Sequence, residues 1–317
     1  MSMKKVWGRV LSRAVMAFIA LAVLAWAGLW WQANRDMPPP TLAERQQSYQ
    51  RAVDWFRAHE AEVLADGNAA LWLMIKTAAQ HTQDPYLAQL LQRSMDAMYT
   101  GRNEALPWRR LIEPKAAFTH DLGLLGPLSA YQRFFYHAAT CARVEIPGYA
   151  HGSDDFLERN VCRPMATRVW LEDRVCSTHQ MMGLHMIRQT GCPLPGDPKP
   201  IEDELLGDIR TQLWLDPMFQ DAYIQRVLVL QWLGGAEAVR PSWLWRVMNA
   251  QQANGGWVGS RHVPGLPDWL QPWGLRQLLA DPVSVLSGKP IMVTQPDFHP
   301  TAQGLLLLAL SLPPRAP

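Results

Sequence analysis

Ala14 to Trp31 is a run of 18 residues with neither a charge nor a proline. As a helix it is about 27 Å long, close to the roughly 30 Å hydrocarbon thickness of a bilayer. Basic residues flank only its N-terminal side: Lys4, Lys5, Arg9 and Arg13 precede it, and no acid precedes Asp36. That asymmetry predicts a cytoplasmic N-terminus and an exported body. Trp26, Trp30 and Trp31 stand where an interfacial aromatic belt lies. Ala25-Trp26-Ala27 fits the small-x-small pattern of a signal-cleavage site, but no polar stretch sets it off and the apolar run continues past it. The expectation is an uncleaved, single-pass anchor in a bacterial inner membrane. Residues 1–13 are then a basic cytoplasmic stub, 14–31 the transmembrane helix, 32–40 a stiff spacer with Pro38-Pro39-Pro40, and 41–317 a periplasmic domain.

Past Trp31 the chain carries 26 basic and 28 acidic residues. Such a body lacks the basic surface that neutralises phosphates, so no nucleic-acid partner is expected. Its patterning is almost wholly helical. Thr41–Ala65, Asn68–Ala79, Pro127–Thr140, Thr178–Gln189, Ile201–Trp214, Met218–Leu233, Pro241–Ala253 and Pro300–Leu310 read as helices, with a further one starting at Asp84-Pro85. Alternation that predicts a strand is confined to a short piece such as Ile291–Thr294.

Some helices have one polar face; others, such as Leu71–Ala79, Met181–Ile187, Ile224–Leu233 and Leu305–Leu310, are apolar nearly all round and must be buried. Buried helices recurring at roughly 40 to 60 residues, alternating with amphipathic ones, suggest two concentric layers. Five or six such hairpins close into an all-α, α/α toroid.

Four cysteines allow three full pairings, and export permits disulfides. A continuous helix from Cys176 to Cys192 would hold them about 24 Å apart, beyond disulfide reach. Cys141–Cys162, closing a loop with Pro147, Gly148 and Gly152, is the favoured pair, and Cys162–Cys176 stays open.

In the C-terminal third, Gln252-Ala253-Asn254-Gly255-Gly256-Trp257 resembles the QW motif of squalene-cyclase and prenyltransferase-like toroids. There, glutamine caps a helix end, glycine makes the turn and tryptophan packs over it. Asp297-Phe298-His299-Pro300-Thr301, followed by Gly304-Leu305-Leu306, is similar to the segment that opens an inner helix in protein prenyltransferase β subunits. In that family the histidine binds zinc with an aspartate and a cysteine from a D-x-C motif. This sequence offers Asp173-x-x-Cys176, one residue longer. The terpene cyclases' D-x-D-D acid motif is absent. The resemblance covers residues 241–310 in motif terms, and what it implies is a fold.

Two constellations carry the candidate chemistry. Asp173, Cys176 and His179 share one helical face if the helix starts before Asp173. With His299 they form a tentative zinc site, since imidazole and thiolate suit that metal. Cys176 and His179 are also a candidate thiol–imidazole pair. The bland alternative makes Cys176 a disulfide cysteine beside a helix start capped by Thr178. The second constellation is Asp297 with His299 at the start of an inner helix, where the plain alternative makes Asp297 the helix cap and His299 an ordinary first-turn polar residue. In a toroid the inner helices run parallel, so His179, Asp297 and His299 would meet at one electropositive mouth and act as catalytic groups. His120 beside Asp121, and His151 before Asp154-Asp155, read more simply as helix starts.

The function expected is a membrane-anchored enzyme acting on a glycan, peptide or lipid-linked substrate in a central cavity, by transfer, elimination or hydrolysis. The alternative is a non-catalytic accessory protein of an envelope transport or assembly machine. The anchor at residues 14–31 fits both.

Overall fold

The computed structural model describes residues 3–121, 123, 125–126, 128–144, 154–162, 176–267, 270–280 and 295–315. Among these, every regular element is helical, apart from one bridging pair between Phe219 and His262. The all-α expectation holds. The short strand expected at 291–294, the loop tip at 147–153 that includes His151, and the metal candidate Asp173 lie outside the described residues.

Helix α1 (Met3–Asn34) overruns the apolar segment at both ends. Within it, Val15–Asn34 is long and apolar enough to cross a membrane. Phe18 and Leu24 are 73% and 67% exposed, so the body leaves that stretch uncovered up to its last two turns, where Ala33 and Asn34 are buried. The last turn is tied to the body by one side chain. Asn34 Nδ2 donates to the carbonyls of Trp30 and Trp214 at 3.0 Å, and its Oδ1 accepts from Trp243 Nε1 at 3.2 Å. Its carbonyl accepts from Arg240 at 2.8 Å, and the Trp30 ring meets Trp214 edge-on at 5.0 Å. The proline segment then lies along the body: Arg240 pairs with Asp36 at 2.9 Å and Trp245 Nε1 donates to the Pro38 carbonyl at 2.8 Å.

Helix α2 (Leu42–Ala58) starts at a capping box, in which Thr41 and Glu44 satisfy each other's backbone N–H groups. After the single turn α3 (Glu60–Leu64), Asn68 caps α4 (Ala69–Thr82), and Asp84 caps α5 (Pro85–Met98) with proline at its first position. Then come α6 (Arg109–Ile112), α7 (Gln132–Thr140), α8 (Cys176–Thr190) and α9 (Lys199–Leu215). Helix α10 (Asp221–Val229) continues as a π-helical turn over Leu230–Gly234, before α11 (Pro241–Ala250), α12 (Pro272–Ala280) and α13 (Phe298–Ser311). The all-apolar sequences are the central helices. Helix α13 is buried from Pro300 to Ala309 and sits between α4 and α10, with α2 against its outer side. Neighbour contacts run in a circuit from α4 through α13, α10, α8, α7 and α6 back to α4.

The segment after α11 explains its own composition. Gln251 Nε2 donates to the carbonyls of Ser48 and Gly255 at 2.9 Å, and its Oε1 accepts from Ser48 at 2.7 Å and Arg51 at 2.6 Å. The glutamine that ties the helix end is therefore Gln251, one place before the expected Gln252. Gly255 sits at φ +93°, where a side chain would also overlap the Arg51 carbonyl. Trp257 is fully buried, donates to the Val247 carbonyl at 2.8 Å and packs flat against Gly304 of α13.

The disulfides correct the expected pairing. Cys141 bonds Cys192 and Cys162 bonds Cys176, with Cα separations of 5.0 and 5.6 Å. Cys141–Cys162 is not formed. Helices α7 and α8 lie side by side in the same direction, with the Tyr131 and His179 rings 4.1 Å apart at their N-terminal ends. Their C-terminal ends therefore arrive together. Gly191, at φ +72°, turns the chain out of α8 and sets Cys192 beside Cys141. His137 reinforces that end, its ring nitrogens 3.1 and 3.0 Å from the carbonyls of Ala142 and Pro193. The exclusion of Cys176–Cys192 stands, and the Cys162–Cys176 alternative is the one realised.

His185 of α8 gives the fold a pH dependence. Its half-buried ring meets Trp232 edge-on at 5.3 Å, and its Nε2 has no hydrogen-bond partner among the described residues. Burial, helped by the Arg188 charge, pushes its pKa down to about 4. The unfolded chain takes up that proton near pH 6.5, so the contribution is complete above about 6.5 and is lost as the pH falls toward 4. Denaturant titrations at pH 7.5 and 4.5 should show His185→Leu losing less stability on acidification than the parent chain, by on the order of 2 kcal/mol. Equal losses would place the titration elsewhere.

Candidate functional site

A partly open cavity of about 300 Å³ lies among the helices of this circuit. The starts of α4, α7, α8 and α13 contribute Ala69, Gln132, His179 and His299 to its wall, and α10 adds Gln225. The structure thus brings His179 and His299, 120 positions apart in the sequence, into one cavity. It does not bring Asp297 with them. That carboxylate caps α13, its Oδ1 accepting from the His299 backbone N–H at 3.0 Å, and it is not among the lining residues. Desolvation pushes the Asp297 pKa up against the pull of that hydrogen bond.

His179 is set by its neighbours. The Tyr131 ring lies tilted over it at 4.1 Å and Phe135 stands 6.2 Å away. Next to it, Thr178 is buried and donates its hydroxyl to Gln225 at 2.7 Å. The helix starts two residues earlier, at Cys176, so Thr178 joins α8 to α10 and does not cap α8. Ser177 and Gln180 extend the same buried polar layer: Ser177 donates to Asn160 at 2.9 Å, and Gln180 donates to the carbonyls of Phe156 and Glu158. Together with the Cys162–Cys176 bond, these contacts fix the first turn of α8, which carries His179.

The zinc set does not fit. Cys176 is bonded to Cys162 and offers no thiolate to a metal or to a thiol–imidazole pair. Among the described residues no three His, Cys, Asp or Glu side chains are grouped to hold a metal ion. Of the described members of that set, His179 and His299 share the cavity.

Other candidates resolve into structural roles. His120 lies 3.4 Å from the Tyr136 hydroxyl, while Asp121 accepts from the Gly123 N–H, so the two do not form an oriented base. Asp154-Asp155 open a single turn of 3-10 helix to Leu157.

The aromatic walls of the cavity, Trp108, Tyr131 and Phe135, were not singled out in the sequence. Gln225 did leave a signal, as a polar residue one place into the apolar run from Ile224.

Chemically the cavity offers two imidazoles, the amides of Asn68, Gln132 and Gln225, and aromatic faces, with no carboxylate or thiol among the described lining residues. Helix starts carry unpaired N–H groups and the positive ends of helix dipoles, which favour an anionic or oxygen-rich ligand. No protein-family model, curated protein or solved structure matches the chain.

Proposed function

We propose that the protein is a membrane-anchored enzyme on the exported face of a bacterial inner membrane. In this reading its helices form an α/α toroid of the squalene-cyclase and prenyltransferase-like kind, and its central cavity takes a glycan, peptide or lipid-linked substrate. The observation that carries the reading is the placement of His179 and His299, from separate helices, in the wall of one cavity. An imidazole can give or take a proton, so the pair supplies a general acid and a general base without a metal. Trp108, Tyr131 and Phe135 give a sugar or peptide ring a surface to pack on. The apolar, uncovered stretch of α1 and the two disulfides support membrane attachment with an exported, oxidising surrounding for the body.

The test is complementation of a deletion strain. His179→Ala and His299→Ala should each abolish the activity while the melting temperature of the purified chain moves by only a few degrees. Full complementation by both variants would make the protein a non-catalytic accessory of an envelope machine. Collapse of folding in both would make the histidines structural.

A further inference from the structure

A second cavity lies where α1 meets the body. It has a volume of about 250 Å³ and is lined by Gln32 and Arg35 from the end of α1 and its exit, and by Ser242, Trp245, Arg246 and Asn249 along α11. Val263, Pro264 and Gly265 close another side. Two guanidinium groups line it, and among the described residues no carboxylate does. The polar groups are held but incompletely paired. Ser242 is 4% exposed, and its hydroxyl has no hydrogen-bond partner among the described residues. Arg246 donates through Nη2 to the Pro217 carbonyl and stacks over Tyr223 at 5.2 Å, which leaves its buried Nε without one. Burial lowers the Arg246 pKa from the usual arginine value, with the phenol of Tyr223 and the carboxylate of Asp216 pulling the other way. An anion in the cavity would satisfy the guanidinium and the hydroxyl together.

The position of the cavity says where that anion comes from. Trp30 and Trp31 directly precede Gln32 and stand about one turn before Arg35, and the apolar span of α1 ends at Asn34. A helix that crosses a bilayer places those residues at the level of the lipid phosphates. Arg35 stacks over Trp31 at 5.7 Å, with its side chain exposed toward that level.

We propose that this junction cavity binds the phosphate of an anionic phospholipid headgroup from the leaflet into which α1 emerges. Arg35 and Arg246 hold the phosphate, Ser242 donates to one of its oxygens, and Trp245 and Asn249 border the glycerol side. A headgroup with its own ammonium is disfavoured, because the two arginines add like charge and the described wall residues include no carboxylate to receive it. The proposal rests on the membrane-anchor reading of α1. It is independent of the chemistry assigned to His179 and His299.

The experiment uses the full chain in a non-ionic detergent, exposed to equal amounts of phosphatidylglycerol and phosphatidylethanolamine, with retained lipid counted by native mass spectrometry. Phosphatidylglycerol should be retained several-fold over phosphatidylethanolamine. Arg35→Gln and Arg246→Gln should bring that ratio toward one, and Arg57→Gln, on a surface pair remote in sequence, should leave it unchanged. Arg246 also braces Pro217 and Tyr223, so a misfolded Arg246→Gln chain leaves the decision to Arg35→Gln, whose side chain is exposed. Equal retention of both lipids, or a ratio unmoved by Arg35→Gln, overturns the headgroup site. Loss of lipid to millimolar inorganic phosphate overturns the lipid assignment in favour of a free-anion site. A parallel flotation with vesicles separates the two readings: a chain that fails to float with them defeats the anchor and the site together, whereas one that floats without lipid preference defeats the site alone.

Discussion

Replacing Cys141 and Cys192 together by serine is expected to lower the stability of the body by about 4 kcal/mol. The bond spans 51 residues, and loop-closure entropy in the unfolded chain scales with the logarithm of that span. The 14-residue span of Cys162–Cys176 should contribute about 3 kcal/mol on the same argument. Denaturant titration of the double variant in detergent measures the difference. A non-reduced digest should yield the Cys141–Cys192 and Cys162–Cys176 cross-links, and a Cys141–Cys162 cross-link would falsify the side-by-side placement of α7 and α8. The second pair carries a further consequence. Losing it frees the segment before Cys162, and with it the polar contacts that seat the first turn of α8. Cys162→Ser with Cys176→Ser should therefore weaken function by more than its stability cost explains.

Trp257→Ala should cost about 3–5 kcal/mol, the range for removing a large buried aromatic ring. Trp257 lies with no exposed surface between α11 and α13, and its indole N–H holds the Val247 carbonyl. Its ring rests on Gly304, where a Cβ would approach to 2.8 Å, so the backbone of α13 comes as close as a glycine permits. Truncation leaves a void that two helices cannot both close. Trp257→Phe keeps part of the packing and loses the hydrogen bond, so it should fall between the parent and the alanine variant. A change below 1 kcal/mol for Trp257→Ala would remove this ring from the packing account.

The helices were legible because their apolar patterns are strong and their ends carry chemical punctuation. Asn68, Asp84-Pro85 and Asp297 each begin a helix where the sequence placed one. The central helices announced themselves by having no polar face, as in Leu305–Leu310. Pairwise neighbours were less legible. Loop composition is local information and favours a pair across the nearest turn-rich loop, Cys141–Cys162, which is not the one formed. That α7 runs beside α8 in the same direction depends on the circuit of helices, which no single segment encodes. The same limit applies to the cavity. His179 and His299 stood out because each opens an apolar helix. Tyr131 and Phe135 did not, since an aromatic on a helix looks the same in sequence whether it packs in a core or faces a cavity. Of the two roles the sequence leaves open for Asp297, mouth residue and helix cap, the carboxylate takes the cap of α13. A local hydrogen bond took precedence over the longer-range role.

The way Asn34 fastens α1 to α9 and α11 restricts how the body can move once α1 is in a bilayer. A tethered domain on a flexible linker tumbles and sweeps a hemisphere. This one has three hydrogen bonds to the body and an edge-on pair of tryptophans at the point where a hinge would be. It keeps lateral diffusion and rotation about the membrane normal, and gives up nodding. The cavity that holds His179 and His299 therefore travels at a constant altitude. Under the enzyme reading proposed above, it would meet only those molecules that present their reactive part at that altitude, a selection by height that operates before any contact in the cavity wall.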